Sequence, residues 1–206
     1  MKRSLWLVLS FTVSLLALAP LAVLAEGPPN YAVLKAGIYS PQDDDLDDLG
    51  ADTGFNGELA FGHYFHQYLA LEFGIGYFQT EGSVSISDPL GSLSFDGEIK
   101  TYPVTVTAKL LFPAGGIEPY GAVGIGIYFS EADLNISSTI AGIPSVSASE
   151  DDTVLGFHIG AGANFNINPQ VFAGIEGRYL FAEPDFGGLE LKIDGFTATA
   201  NLGYRF

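Results

Sequence analysis

The chain has 206 residues, no cysteine, and a formal net charge of −16 from 24 acidic and 8 basic side chains. So acidic a chain makes a poor partner for nucleic acid, and an exported domain of this size without Cys has to be stable without disulfides. Hydrophobic residues make up 48% and aromatics 13%, yet no apolar run after the first 25 residues is long enough for a membrane helix. That combination points to alternating strands.

In chain order, Lys2 and Arg3 precede an apolar run from Leu5 to Ala25, broken by Ser and by Pro20, which ends in Val23-Leu24-Ala25 before Glu26-Gly27-Pro28-Pro29. This reads as a signal peptide at 1–25, cleaved after Ala25; the rival reading is a retained anchor. Loss of Lys2 and Arg3 takes the charge from −16 to −18. Residues 26–206 then form one domain.

Eight alternating stretches follow, at about Tyr31–Ser40, Thr53–Phe65, Tyr68–Thr80, Glu98–Phe112, Pro119–Ser130, Thr153–Phe165, Gln170–Phe181 and Ile193–Phe206. Their connections are alternately long and short. Opposite ends of the strands therefore carry loops of different length, which predicts an all-β, eight-stranded antiparallel up-and-down transmembrane β-barrel with both termini on the short-turn, periplasmic side. Sorted by parity, one face of the strands is apolar, as in Leu69, Leu71, Phe73 and Ile75 or Phe196, Ala198, Ala200 and Leu202. The other face carries Lys35, Glu58, Glu72, Lys109, Glu176, Arg178 and Arg205, with Thr, Asn, His158 and many glycines. Glu98, Lys100 and Asp194 share the apolar parity but fall at long-loop ends.

A soluble barrel would turn its apolar face inward. Here that would leave room inside for few of the large side chains, whereas the glycine-rich charged set suits a narrow interior. Turned the wrong way, each Arg or Lys would cost about 2 to 4 kcal/mol at mid-depth in lipid. Aromatics gather at both ends of the apolar face: Phe55, Tyr77, Tyr102, Phe129, Tyr179, Phe181 and Phe196 near the long loops, Phe65, Phe112, Phe165, Tyr204 and Phe206 near the short turns. Two such girdles mark two membrane interfaces.

The terminal Leu202-Gly203-Tyr204-Arg205-Phe206, the segment Glu118-Pro119-Tyr120-Gly121-Ala122-Val123-Gly124-Ile125-Gly126 and the segment Gly156-Phe157-His158-Ile159-Gly160-Ala161-Gly162-Ala163-Asn164 resemble the small outer-membrane β-barrels of Gram-negative bacteria, the group of the OmpA transmembrane domain, OmpX and OmpW. The resemblance implies residence in the cell outer membrane, and it implies that the barrel-assembly machinery reads Phe206, with Tyr204 beside it, as an assembly signal. Nothing after Phe206 corresponds to a periplasmic peptidoglycan-binding domain.

Three groups of residues are candidates for function. The inward charges could line a narrow pore or pair to fill a closed lumen. The acidic loops, above all Asp43, Asp44, Asp45, Asp47 and Asp48, could contact divalent cations bridging to lipopolysaccharide, or stay solvated; in the first loop no Gly sits at the sixth position of an Asp-x-Asp-x-Asp start, as a calcium loop of the EF-hand kind needs. His63, His66 and His158 lack a Ser in a recognisable motif, so no catalytic set is expected. No cofactor or structural metal is expected either. Leu134–Ala148 and Ser83–Ser94 could extend the hairpins above the membrane. The expected role is structural or surface-interacting, carried by a monomer with outer-membrane lipid and lipopolysaccharide around it; the alternative is a narrow porin-like or OmpW-like channel for ions or small apolar molecules.

Overall fold

The computed structural model describes residues 29–42, 52–88, 91–138, 145–186, 189–190 and 192–206. The expected signal peptide at 1–25 and the acidic run Asp43, Asp44, Asp45, Asp47 and Asp48 lie outside the described residues.

Among the described residues ten strands follow one another: β1 Asn30–Pro41, β2 Gly54–His66, β3 Leu69–Asp88, β4 Gly91–Leu111, β5 Ile117–Ser138, β6 Val146–Asn166, β7 Val171–Phe181, the two-residue β8 Asp185–Phe186 and β9 Leu189–Glu190, and β10 Gly195–Arg205. Eight of them close a barrel in the order β1-β10-β7-β6-β5-β4-β3-β2, while β8 and β9 pair only with each other. Every barrel pair is antiparallel. The ring shuts where β1 meets β10, from Tyr31 opposite Arg205 to Pro41 opposite Gly195. Beyond that ladder Phe206 N donates to Asn30 O at 2.8 Å and Asn30 N to Phe206 O at 3.2 Å. Closure leaves no open strand edge in the hydrocarbon layer, where an unpaired N–H or C=O is costly.

The outward side is apolar as the alternation demands: Leu34, Leu59, Ile75, Val123, Ile125, Ile159, Ile175 and Leu202 are all exposed large hydrophobics. The aromatics fall into contact at its ends, Tyr77 against Tyr102 at 5.2 Å between ring centroids and Phe61 against Phe206 at 5.6 Å.

Four strands run further than their alternation predicts. β1, β2, β7 and β10 have 12, 13, 11 and 11 residues, close to a membrane crossing, but β3, β4, β5 and β6 have 20, 21, 22 and 21. The predicted second and third long loops are therefore largely strand: β3 pairs with β4 as far as Asp88 opposite Gly91, and β5 with β6 as far as Ile136 opposite Val146. The physical reason lies in solvent. Once the strands leave lipid, the outward residues turn polar (Ser83, Ser85, Asp96, Glu131, Asp133, Asn135, Ser147, Ser149) and the inward ones turn apolar. An apolar-out pattern thus stops at the membrane surface although the pairing does not.

Candidate functional site

Every charged side chain assigned inward from the alternation is buried in the lumen, where Lys35 on β1, Glu58 on β2, Glu72 on β3, Lys109 on β4 and Glu176 with Arg178 on β7 form one cluster. Lys35 stands directly opposite Glu58 across β1 and β2. Its Nζ lies 2.7 Å from Glu58 Oε1, 2.5 Å from Glu72 Oε1 and 3.3 Å from Glu176 Oε1. Lys109 Nζ reaches Glu72 at 2.7 Å and Glu176 at 3.3 Å. The Arg178 guanidinium spans Glu58 at 2.8 Å and Glu176 at 2.7 Å. Three cations and three carboxylates from five strands make a charge-neutral layer across the barrel. Tyr31 donates to Glu72 at 3.0 Å and Tyr120 to Glu176 at 2.9 Å, taking up remaining acceptor positions.

Arg205 belongs to a second polar group nearer the short turns. Its Nη2 donates to Glu118 at 2.8 Å, its Nη1 to Asn166 at 2.7 Å and its Nε to the Tyr64 hydroxyl at 3.2 Å, while the guanidinium lies over the Phe172 ring at 4.6 Å. The alternation begins this strand at Pro119 and leaves Glu118 in the short connection before it; Glu118 sits in β5, and only the tertiary register reveals it as the partner of Arg205.

Apolar layers flank the central cluster. Towards the short turns Tyr31, Val33, Ala60, Ala70, Leu111, Tyr120 and Phe172 pack together; towards the long hairpins Tyr39, Phe78, Ile99, Tyr128, Leu180, Ala182 and Ile193 do the same. The upper layer is drawn tight by the β7–β10 connection, where Ile193 N donates to Ala182 O at 3.0 Å and the Tyr39 hydroxyl to Ile193 O at 2.9 Å. Inward glycines make room for this filling. A Cβ on Gly124 would lie 2.5 Å from Val106 O and run into the His158 ring, and one on Gly203 would enter the Phe172 ring.

The histidines do not converge. His158 is fully buried with Nε2 2.9 Å from Thr107 Oγ1. His63 Nδ1 lies 2.8 Å from Asn30 Oδ1, and the His66 ring lies against Tyr68. Among the described residues no group of His, Asp or Glu is arranged to hold a metal ion. Tyr204 and Phe206 lie half-exposed on the lipid-facing side at the short-turn end. Outside the membrane Lys100 meets Glu98 at 2.7 Å and Asp133 at 3.4 Å; Ser149 and Lys100 together hold the Asp133 carboxyl below the usual aspartate range.

An eight-stranded closed barrel, apolar outside, girdled by aromatics and filled with paired charge, is an integral outer-membrane β-barrel protein. More narrowly, the chain belongs to the outer membrane protein beta-barrel domain family, whose model matches residues 9–206. No curated protein sequence matches it. Among solved structures it is similar to Neisserial surface protein A (NspA), with a TM-score of 0.51 at 16% identity over 86% of this chain and 96% of that one. It is also similar to the outer membrane protein OprG from Pseudomonas aeruginosa, with a TM-score of 0.50 at 17% identity over 87% and 97%. At these identities the likeness is one of fold.

Proposed function

We propose that this protein is a non-catalytic, monomeric outer-membrane barrel with a structural or surface-interaction role, and that its extracellular parts make its contacts, including those with lipopolysaccharide. One observation carries the reading: two apolar layers enclose a charge-neutral cluster whose three cations and three carboxylates are all paired. A lumen filled in this way holds the wall together and offers a solute no continuous wet path. The half-exposed Tyr204 and Phe206 at the periplasmic rim suit recognition by the barrel-assembly machinery during insertion.

A channel is the second reading, favoured by one feature. Thr105 Oγ1, His158 Nδ1 and Arg178 Nε are buried in the lumen without hydrogen-bond partners, and buried polar atoms of this kind are where water is held. Single-channel recording of refolded residues 26–206 in planar bilayers separates the two, with heat-modifiable gel mobility as the folding control. Silence from folded barrel is the expected result. Reproducible openings whose size changes on Arg178→Gln would establish the channel and sink the sealed-lumen reading.

A further inference from the structure

Above the membrane β3, β4, β5 and β6 continue as a four-stranded sheet in which no register shift interrupts the pairing. Residues of one parity therefore form rows across it. Val84, Phe95, Ile136 and Val146 are successive partners in one row; Gly82, Gly97, Leu134 and Ala148 are successive partners in the row below. Both rows share the parity of Phe78, Ile99 and Ala132, which pack in the upper lumen layer, so they lie on the side facing over the barrel mouth. The reverse side runs Ser83, Asp96, Asn135, Ser147 and Glu81, Glu98, Asp133, Ser149.

Among the described residues the apolar side is buried at its base and opens upward, with Phe95 and Ile136 half-buried. Ile99 is buried with Ala182 and Ile193, whereas Val84, Leu134 and Val146 higher up are 40%, 44% and 53% exposed. A two-faced sheet whose apolar face stands open to water marks an interaction site, since a purely solvated extension gains nothing from it.

Charge selects the occupant. Glu150 and Asp152 share the apolar face of β6, and Asp152 Oδ2 accepts from Asp185 N at 2.7 Å. Of the eight Lys and Arg, two precede residue 26 and four are in the lumen. Lys100 has the reverse parity and Lys192 lies 3.7 Å from Glu183. A second copy would set this acidic rim against itself, and an anionic glycan would be repelled. Four strands about 4.8 Å apart make a row about 14 Å wide, enough to seat a helix about 10 to 12 Å across.

We propose that the inner face of the extracellular sheet binds a cationic amphipathic polypeptide segment, its apolar side on Val84, Phe95, Leu134, Ile136 and Val146 and its Lys or Arg side chains towards Glu150 and Asp152. The proposal rests on the surface-interaction reading and names the class of partner.

The test uses the full barrel in phosphatidylcholine nanodiscs, with empty discs as baseline. Fluorescence anisotropy compares two labelled probes of equal charge, an amphipathic Leu/Lys peptide and oligolysine. The Leu/Lys peptide is expected to bind at least about tenfold more tightly, and Val84→Ser with Leu134→Ser, both at exposed positions, to remove that advantage while leaving oligolysine binding unchanged. Leu134→Ser alone serves if the pair lowers the heat-modified fraction. Equal affinity for both probes, or indifference to the substitutions, overturns the proposal. Self-association that Leu134→Ser abolishes would assign the face to a second copy, and a gain in peptide affinity on replacing residues 43–50 with Gly and Ser would assign it to that segment; either result overturns it. Bilayer silence is read independently, so failed peptide binding by a silent barrel rejects the partner class and leaves the sealed lumen standing.

Discussion

Lys35 Nζ lies within 3.3 Å of carboxylates from three strands, and its side chain is 1% exposed. Replacing such an ammonium with a hydrocarbon leaves the cluster with three carboxylates facing only Lys109 and Arg178. Breaking a buried ion pair from one side costs about 3 to 5 kcal/mol, mostly for the charge left behind. Lys35→Met is therefore expected to lower barrel stability by that amount in urea titrations followed by gel mobility. Adding Glu72→Gln restores neutrality and is expected to recover most of the loss. A double variant no more stable than Lys35→Met would show that packing around the Lys35 stem, rather than charge balance, holds the layer.

The individual strand shows why one alternation serves two solvents. On β5, Ile125 and Asn135 have the same parity, ten residues apart; Ile125 is 59% exposed on the lipid-facing side, and Asn135 lies on the polar reverse of the overhang. Ile125→Arg is expected to cost about 2 to 4 kcal/mol in vesicle-based unfolding because the charge meets hydrocarbon. Asn135→Arg, already in water, is expected to change stability by less than about 0.5 kcal/mol. Equal effects would put the membrane boundary elsewhere on the strand. Asp133 gives the same overhang a pH signature. The Ser149 hydroxyl first and then Lys100 depress its carboxyl pKa, so its contribution is fully present above the unfolded aspartate value near about 3.9 and disappears as pH falls through the lower folded value. Amide protection in the top of β5 and β6, with the intrinsic pH dependence of exchange divided out, is expected to stay flat down to about pH 4 and to weaken below it, and Asp133→Asn to remove that step.

At the scale of the molecule, the membrane part and the overhang draw on different interactions. The barrel is closed by the β1–β10 ladder and filled by its three lumen layers, while the upper rows of β3–β6 add pairing only among themselves. Shortening both hairpins at residues 83–94 and 134–148 to tight turns is expected to leave a heat-modifiable barrel that still refolds in lipid, because short connections suit antiparallel neighbours. The shortened form is also expected to lose the Leu/Lys peptide. Failure to refold would mean that the overhang nucleates the barrel, which gel mobility during refolding detects.

Period-two alternation is a local property, so the eight crossings, the side facing lipid and the inward set Lys35, Glu58, Glu72, Lys109, Glu176, Arg178 and Arg205 could be read from the chain alone. Alternation carries no height, however, and a strand shifted by two residues keeps its faces while changing every neighbour. Which carboxylate meets Lys35, that Glu118 answers Arg205, and that Val84, Phe95, Ile136 and Val146 align in one row are consequences of register. Register comes from closing all eight strands at once. Ser83–Ser94 and Leu134–Ala148 could be named as hairpin extensions from the chain alone, but how far the pairing runs and where lipid ends could not: the solvent outside a strand changes from lipid to water along its length, and only the folded barrel locates that change.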